Sequence, residues 1–272
     1  MHTRLETLER SWLFVPGDRP ERFAKAIASG ADAVILDLED AVAPESKRIA
    51  CVAIHSALET MPPQSFWVRP PGPASSLDEL QTRVMRHRAL AGVMVPKAED
   101  AEDIAAYLTL CRPRAGCIAL VETARGVFNL AAIANAPGLT RLCMGNLDLL
   151  RDLGASSSQV IDHVLITFAI AARAAGLPPP IAGVTPQLGQ PALLDNESRA
   201  AIALGCFGKI CIHPQQIPTV HRAHTPDKKR VEWAREILAL SRGSSVFQHA
   251  GQMVDAPVIR MAESIVRLAE RH

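Results

Sequence analysis

Several short apolar runs in this chain end in side chains that can move protons or hold a cation. Ala33–Val42 reads AVILDLEDAV, so four apolar residues lead straight into Asp37, Glu39 and Asp40. Unpaired charge is costly to bury, so a buried strand does not end in three carboxylates for stability alone. The habit recurs: FWVRP carries Arg69, GVMVPKA carries Lys97, CIALVET carries Glu122, TRLCMGNLD ends at Asp148 and GKICIHP carries His213. Glu122 and Asp148 close neighbouring runs. Adjacent strands lie about 4.8 Å apart, so both carboxylates can reach one cation. Two carboxylates, with the other positions left to water and substrate, suit Mg2+. No Cys or His accompanies them, which disfavours zinc. A second reading stands beside this one, in which Glu122 and Asp148 simply pair with Arg69 and Lys97.

Such residues need a scaffold that brings distant segments together. Eight β-rich apolar runs occupy residues 11–17, 33–40, 66–70, 92–98, 117–123, 140–148, 180–186 and 208–214. They run on without alternation, as strands covered on both faces do. Between them lie segments such as PERFAKAIASG and SSQVIDHVLITFAIAARAAG, apolar at helical spacing. Pro20 stands near one helix start and Gly30 and Gly176 near two helix ends, as capping preferences expect. Eight strand–helix units predict an α/β fold of the (β/α)8 TIM-barrel type. The rival is an open doubly wound sheet, more at ease with roughly five to seven strands. Neither GxGxxG nor GxxxxGK occurs to support it. In a barrel the C-terminal strand ends share one rim, where active sites are built. The acids of residues 37–40 then face a common polar mouth.

Beyond the eighth run, DKKRVEWAREILALSR and PVIRMAESIVRLAERH read as helices, with GSSVFQHAGQMVDAP between them as an irregular or hairpin segment. The expected division is a barrel over 1–222 and a C-terminal helical extension over 223–272 that docks on a neighbouring subunit. The 272 residues are 48% hydrophobic with a net charge of +1, so a large core is expected and clustered cations for nucleic acid are not. The six cysteines form no CxxC pair and read as small core residues. The N-terminus carries charges ahead of any apolar run, unlike a secretory signal. No stretch reaches the roughly 18 apolar residues of a membrane span. The expectation is a cytoplasmic protein that engages neither nucleic acid nor membrane.

The blocks RSWLFVPG, DAVILDLEDAV with Lys47 after it, WVRP, VMVPKAED, LVETARGVFNLAAIA, MGNLDLLRDLG, GKICIHPQQI and GQMVDAP follow in the order seen in the citrate lyase β-subunit-like family. That family lies within the HpcH/HpaI aldolase superfamily, and the chain resembles it from Arg10 to about Ala262. The resemblance implies a (β/α)8 barrel that uses Mg2+, or Mn2+ in its place, to cleave or form a carbon–carbon bond. The substrates are an acyl-CoA, with CoA as part of the substrate, and a 2-oxo acid. Carried over block by block, Glu122 and Asp148 are the metal ligands and Arg69 grips the oxo-acid carboxylate. Glu39 matches a carboxylate near the metal's waters. Asp255 is supplied by the tail of an adjacent subunit, in a homotrimer. Phe14, Lys97, Gly145 and Asn146 join Arg69 and Glu122 on the substrate side. Arg19, Arg22 and Lys25 are positioned to meet CoA phosphates or to form a solvated helix face.

The implied reaction takes a 3-hydroxy-3-carboxyacyl-CoA of the citramalyl-, malyl- or citryl-CoA type to acetyl-CoA and pyruvate, glyoxylate or oxaloacetate. Arg69 would clamp the carboxylate with two parallel bonds. Asp255, its proton affinity raised by cover from Met253, Val254 and Pro257, would protonate the enolate. Taken alone, Asp255 reads as a turn or cap residue before Pro257. Asp37 and Asp40 read as groups that order loops and arginines. His213 reads as a substrate contact or as a buried histidine bonded to backbone. Three departures from the family pattern bear on substrate identity: Pro70-Pro71 where VRxN is frequent, GNLD where GAED is frequent, and Cys51 in place of an arginine. The competing functions are a malyl-CoA-type thioesterase and a non-catalytic CoA-ester or oxo-acid binding protein.

Overall fold

A computed structural model describes residues 8–61, 66–113, 115–243 and 246–270. The charged N-terminal residues 1–7, Ser244 and Ser245 of the tail, and the last two residues of its final helix motif lie outside the described residues. Seven parallel strands build the main sheet: β1 (Ser11–Pro16), β2 (Ala33–Asp37), β3 (Phe66–Arg69), β4 (Leu90–Val95), β5 (Gly116–Val121), β6 (Arg141–Met144) and β7 (Lys209–Cys211). Their spatial order is β6-β5-β4-β3-β2-β1-β7. The helices are α1 (Phe23–Ala28), α2 (Lys47–Thr60), α3 (Glu79–Met85), α4 (Ala101–Leu110), α5 (Ala124–Phe128), α6 (Leu130–Ala134), α7 (Asn146–Leu153), α8 (Ser158–Ala174), α9 (Pro191–Ala203), α10 (Ile217–His224), α11 (Lys228–Leu240) and α12 (Ala256–Glu270). No single helix among the described residues is long and apolar enough to cross a membrane.

The sheet closes on itself through the segment between β6 and β7. Ile181 bridges Cys143 on one side and Ala182 bridges Lys209 on the other, both parallel. Ile181 N–H donates to Leu142 O (2.9 Å) and Ala182 N–H to Gly208 O (2.9 Å), with reciprocal bonds from Met144 (3.1 Å) and Ile210 (3.0 Å). The barrel thus has its eighth staves-position filled, but residues 180–186 do not extend into the strand expected there. Pro178, Pro179 and Pro180 precede the bridge and have no N–H to give. Side chains replace the missing ladder. Arg141 donates Nε to Pro179 O (2.9 Å) and Nη2 to Phe207 O. Lys209 Nζ reaches Gly183 O (2.9 Å) and Gln216 Nε2 reaches Thr185 O (2.8 Å).

Strand alternation sorts the side chains. Ala33, Ile35, Met94, Ile118, Leu120 and Cys143 fill the barrel with Trp12, Ile181 and Ile210. Val34, Leu36, Val68, Val93, Val95, Ala119 and Leu142 instead pack under the helices. The same parity turns Asp37, Arg69 and Glu122 inward, two residues beyond Ile35, Trp67 and Leu120. Trp67 meets Trp12 edge to face at 5.2 Å inside the barrel. Its ring fits because Gly92 and Gly116 are bare: an added Cβ would lie 2.5 Å from Cζ3 at Gly92 and 2.3 Å from Cη2 at Gly116.

α10 packs on α9 and β1, so the tail leaves the barrel after His224. It comprises α11, the hairpin β8 (Phe247–His249) and β9 (Gln252–Val254), and α12. Val231, Ala234, Ile237, Val254, Ala262 and Ile265 give it an apolar cluster of its own. Met261, Ser264, Ile265 and Leu268 of α12 face Pro179, Phe207 and His224 across a cavity of about 380 Å3. Those barrel residues lie at or before the N-terminal strand ends, away from the rim that carries the acids.

The two glycines should differ in how their loss is relieved. Gly116→Ala would strike only the Trp67 ring, whereas Gly92→Ala would also place its Cβ 2.3 Å from Gly116 O. Each should cost about 1–3 kcal/mol or more by overpacking. Urea unfolding of the single variants and of their combinations with Trp67→Leu checks this. Trp67→Leu should relieve Gly116→Ala and leave most of the Gly92→Ala penalty.

Candidate active site

Asp37 ends β2 fully buried. It accepts the N–H groups of Glu39 (2.9 Å) and Ala41 (3.0 Å). Arg69, at the end of the paired strand β3, gives it Nε and Nη2, each at 2.6 Å. The guanidinium lies 4.8 Å over the Phe14 ring, and its Nη1 is 2.8 Å from Glu39 Oε2. Glu39 Oε1 takes Lys97 Nζ, which also reaches Asp40 Oδ2 at 3.4 Å. Glu39 Oε2 has an ion pair but no aligned hydrogen bond. Burial works against the charge of Arg69, yet its bonds to Asp37 and the charges of Asp37 and Glu39 outweigh it and raise its pKa. Burial likewise raises the pKa of Glu39 despite Arg69 and Lys97.

Glu122 follows β5 and is 2% exposed. Its Oε1 accepts the backbone N–H of Lys97 at 3.1 Å. Lys97 has φ 46°, a left-handed conformation uncommon outside glycine. The next N–H, of Ala98, goes to Leu120 O at 3.0 Å. Gly145 makes room for the carboxylate, because a Cβ there would lie 2.4 Å from Glu122 Oε2. Burial first, then the charges of Glu39 and Asp148, push the Glu122 carboxyl up to about 7, with Arg69 opposing.

The structure corrects several expectations. Asp148 does not end a strand: β6 stops at Met144, and Asp148 sits in the first turn of α7. Its side chain is 28% exposed and pairs with Arg151 at 2.8 Å. It still lies close enough to Glu122 to raise that group's pKa. The Asn146 amide does not face substrate freely. Its Nδ2 donates to Val184 O (3.0 Å) and its Oδ1 accepts Val184 N–H (2.8 Å). The Nε/Nη2 fork of Arg69 is already spent on Asp37 and Nη1 lies 2.8 Å from Glu39 Oε2, so the free fork assumed from the sequence is not there. His213 is half-buried and caps a short turn, its Nδ1 accepting Gln215 N–H at 3.2 Å. Cys51 is buried in the core under α2. Arg19 and Arg22 are exposed on the loop after β1, near Asp18 (3.9 Å) and Glu21 (3.7 Å). Met253 is 72% exposed, so Val254 alone of the expected apolar cover beside Asp255 is buried within the chain.

No group of three or more His, Cys, Asp or Glu among the described residues is arranged to hold a metal ion. The rim offers two carboxylates instead, and that donor set fits a hard cation that keeps water and substrate as its other ligands. Glu122 Oε2 lies against bare Gly145 backbone, and neighbouring carboxylates raise the cost of its charge, a cost that a bound cation relieves.

A closed parallel barrel with carboxylates and an arginine gathered at its C-terminal mouth is the layout of a (β/α)8 enzyme. The chain belongs to the HpcH/HpaI aldolase/citrate lyase family, whose model matches residues 10–214. A second model, described as a C–C bond lyase of the TIM-barrel fold, matches residues 159–272. A citrate lyase subunit beta-like protein of Mycobacterium tuberculosis is 40% identical over 95% of this chain and 94% of its own length. Human mitochondrial citramalyl-CoA lyase is 29% identical over 96% of this chain and 85% of its own. The crystal structure of Mycobacterium tuberculosis CitE with magnesium, acetoacetate and coenzyme A superimposes with a TM-score of 0.85 at 39% identity, covering 97% of this chain and 99% of that one.

Glu122 should destabilise the metal-free fold at neutral and alkaline pH. Its folded pKa of about 7 lies above the ordinary 4.5. The folded state therefore holds the extra proton between these values, and stability falls as pH rises through that window. Glu122→Gln should gain on the order of 3 kcal/mol at most above neutrality and little at acid pH. Thermal melts of both proteins without divalent cation, taken across pH, would refute this if the two curves stayed parallel.

Proposed function

We propose that this chain is a divalent-cation-dependent lyase that cleaves a 3-hydroxy-3-carboxyacyl-CoA into acetyl-CoA and a 2-oxo acid. The observation that carries this reading is Glu122, a buried carboxylate seated on Lys97 N–H and Gly145 beside Asp148 and Arg69. The magnesium, acetoacetate and coenzyme A held by the related CitE structure support it, as does the activity named for human citramalyl-CoA lyase. Among substrates, citramalyl-CoA is preferred, giving pyruvate.

Glu122 and Asp148 would hold Mg2+, which would supply Lewis-acid chemistry, lowering the pKa of the substrate hydroxyl. Arg69 would share Nη1 between Glu39 and the substrate carboxylate, its plane fixed by Asp37 and by the Phe14 ring beneath it. Lys97 offsets the charge of Glu39 and Asp40 so that the mouth still admits an anionic substrate. The enolate left by bond cleavage needs a proton at carbon. Asp37 is bonded to Arg69, Glu39 to Arg69 and Lys97, and Asp40 to Lys97, and Glu122 and Asp148 would be committed to the cation. We assign the proton to Asp255 of a neighbouring copy in a homotrimer. The exposed Met253 beside it supports a second copy as its cover, and the distal half of its own helix faces the other end of the barrel.

The test is a panel of citryl-, malyl- and citramalyl-CoA with Mg2+, following oxo-acid and free-CoA release. Oxo acid without free CoA supports the lyase, and free CoA with a hydroxy acid identifies a thioesterase. Glu122→Ala and Asp148→Ala should each lose most of the turnover and the metal affinity. Arg69→Lys should weaken oxo-acid use by well over tenfold, about 1.4 kcal/mol or more. Co-assembled Asp255→Ala and Glu122→Ala subunits should regain activity that neither has alone. Verified mixed oligomers without recovery would remove the neighbouring Asp255 from the mechanism.

A further inference from the structure

α7 carries Asp148, yet little of the helix is packed in place. Leu149 is its one buried residue, and Leu147 and Leu153 are 48% and 43% exposed. Its N-cap, Gly145, has no side chain to close the first turn. On the barrel side α7 borders a cavity of about 330 Å3 lined by Met144, Leu147, Leu150, Ile161, Val184 and Lys209. A short helix beside a void has room to shift, because neighbouring atoms do not fill the space it would move into.

Three attachments limit that freedom: Asp152, in the last turn of α7, accepts the Ala124 N–H at 2.7 Å, and the other two hold the first turn. Gly145 N–H donates to Val121 O at 3.0 Å, tying the turn to β5. Asn146 makes the other, its carboxamide pairing with the Val184 peptide in both directions at 3.0 and 2.8 Å. That is the geometry of one strand's peptide against the next. It falls at the seam where residues 183–186 form no ladder. Gly183 is shaped to this contact: a Cβ there would lie 2.1 Å from Asn146 Oδ1 and 2.9 Å from Met144 O.

We infer that Asn146 is a positioning residue: by pairing with the Val184 peptide across the barrel seam it holds the first turn of α7, and with it Asp148, in place for the divalent cation. This rests on the proposed metal role of Glu122 and Asp148. Both polar atoms of the Asn146 side chain are taken by the Val184 peptide. Asn146 acts through the helix it anchors, as groups one layer behind metal ligands do.

The experiment is Mn2+ binding to the metal-free protein by electron paramagnetic resonance, for wild type, Asn146→Ala, Gly183→Ala and the double variant. Melting temperatures are recorded alongside. Asn146→Ala should weaken Mn2+ binding about 10- to 100-fold. Gly183→Ala should do the same by pushing the amide aside, and serves if Asn146→Ala does not fold. The double variant should be little worse than the more severe single one, because both act on one contact. In turnover, the Mn2+ concentration for half activity should rise more than the maximal rate falls. Unchanged Mn2+ affinity in folded variants, with melting temperature alone lowered, would overturn the inference and leave the lyase reading intact. A wild type that binds no Mn2+ would overturn both.

Discussion

Asp37 is a fully buried carboxylate, and the rim is organised around the partners that carboxylate takes there. A buried charge persists only with a partner of good geometry and hydrogen bonds to its remaining lone pairs. Arg69 supplies the first with two bonds of 2.6 Å. The N–H groups of Glu39 and Ala41 supply the second, so the loop leaving β2 is wrapped around the carboxylate. That wrapping brings Glu39 onto the outer side of Arg69 and into reach of Lys97. Lys97 in turn gives its backbone N–H to Glu122. A continuous series of contacts thus runs from β2 through β3 and the end of β4 to the end of β5, and Glu122 is its last member.

The opposite side of the barrel is built differently. From Pro179 to Thr185 the backbone has only the bridges at Ile181 and Ala182 as sheet partners. Arg141, Lys209, Asn146 and Gln216 bond the carbonyls of Pro179, Gly183, Val184 and Thr185, and that of Pro180 accepts Phe207 N–H at 3.0 Å. Glu122 therefore follows directly on a regular strand, and Asp148 stands on a helix tied to the seam.

Much of this was legible in the residues. Apolar runs ending in acids and bases located the rim, whereas the turning of Asp37, Arg69 and Glu122 to its inner face follows from the strand register seen in the structure. The closed barrel and the tail hairpin followed from the spacing of runs and helical segments. What sequence reading missed were contacts made by side chains with the backbone of distant segments. TRLCMGNLD reads as a continuation of a strand, yet Gly145 turns it into a helix and Asp148 meets Arg151 three residues on. That spacing of three is itself a helical signal. Three successive prolines before Ile181 were a warning that a ladder could not form there. The Asn146–Val184 pairing had no sequence signal, because its partner is a peptide group and not a side chain. The occupation of Arg69 by Asp37 was partly foreseen, since Asp37 read as an organiser of arginines, but the loss of the free fork was not.

We propose that the excess negative charge of this rim holds one divalent cation between Glu122, just past the end of β5, and Asp148 on α7. The most direct measurement is an anomalous difference map from crystals grown with Mn2+ and pyruvate. The account predicts a single strong peak within coordination distance of both Glu122 and Asp148, on the side of the rim that Arg69 Nη1 can reach. A peak held by Glu39 and Asp40 instead, with Glu122 still on Lys97 N–H and Asp148 still on Arg151, would contradict it.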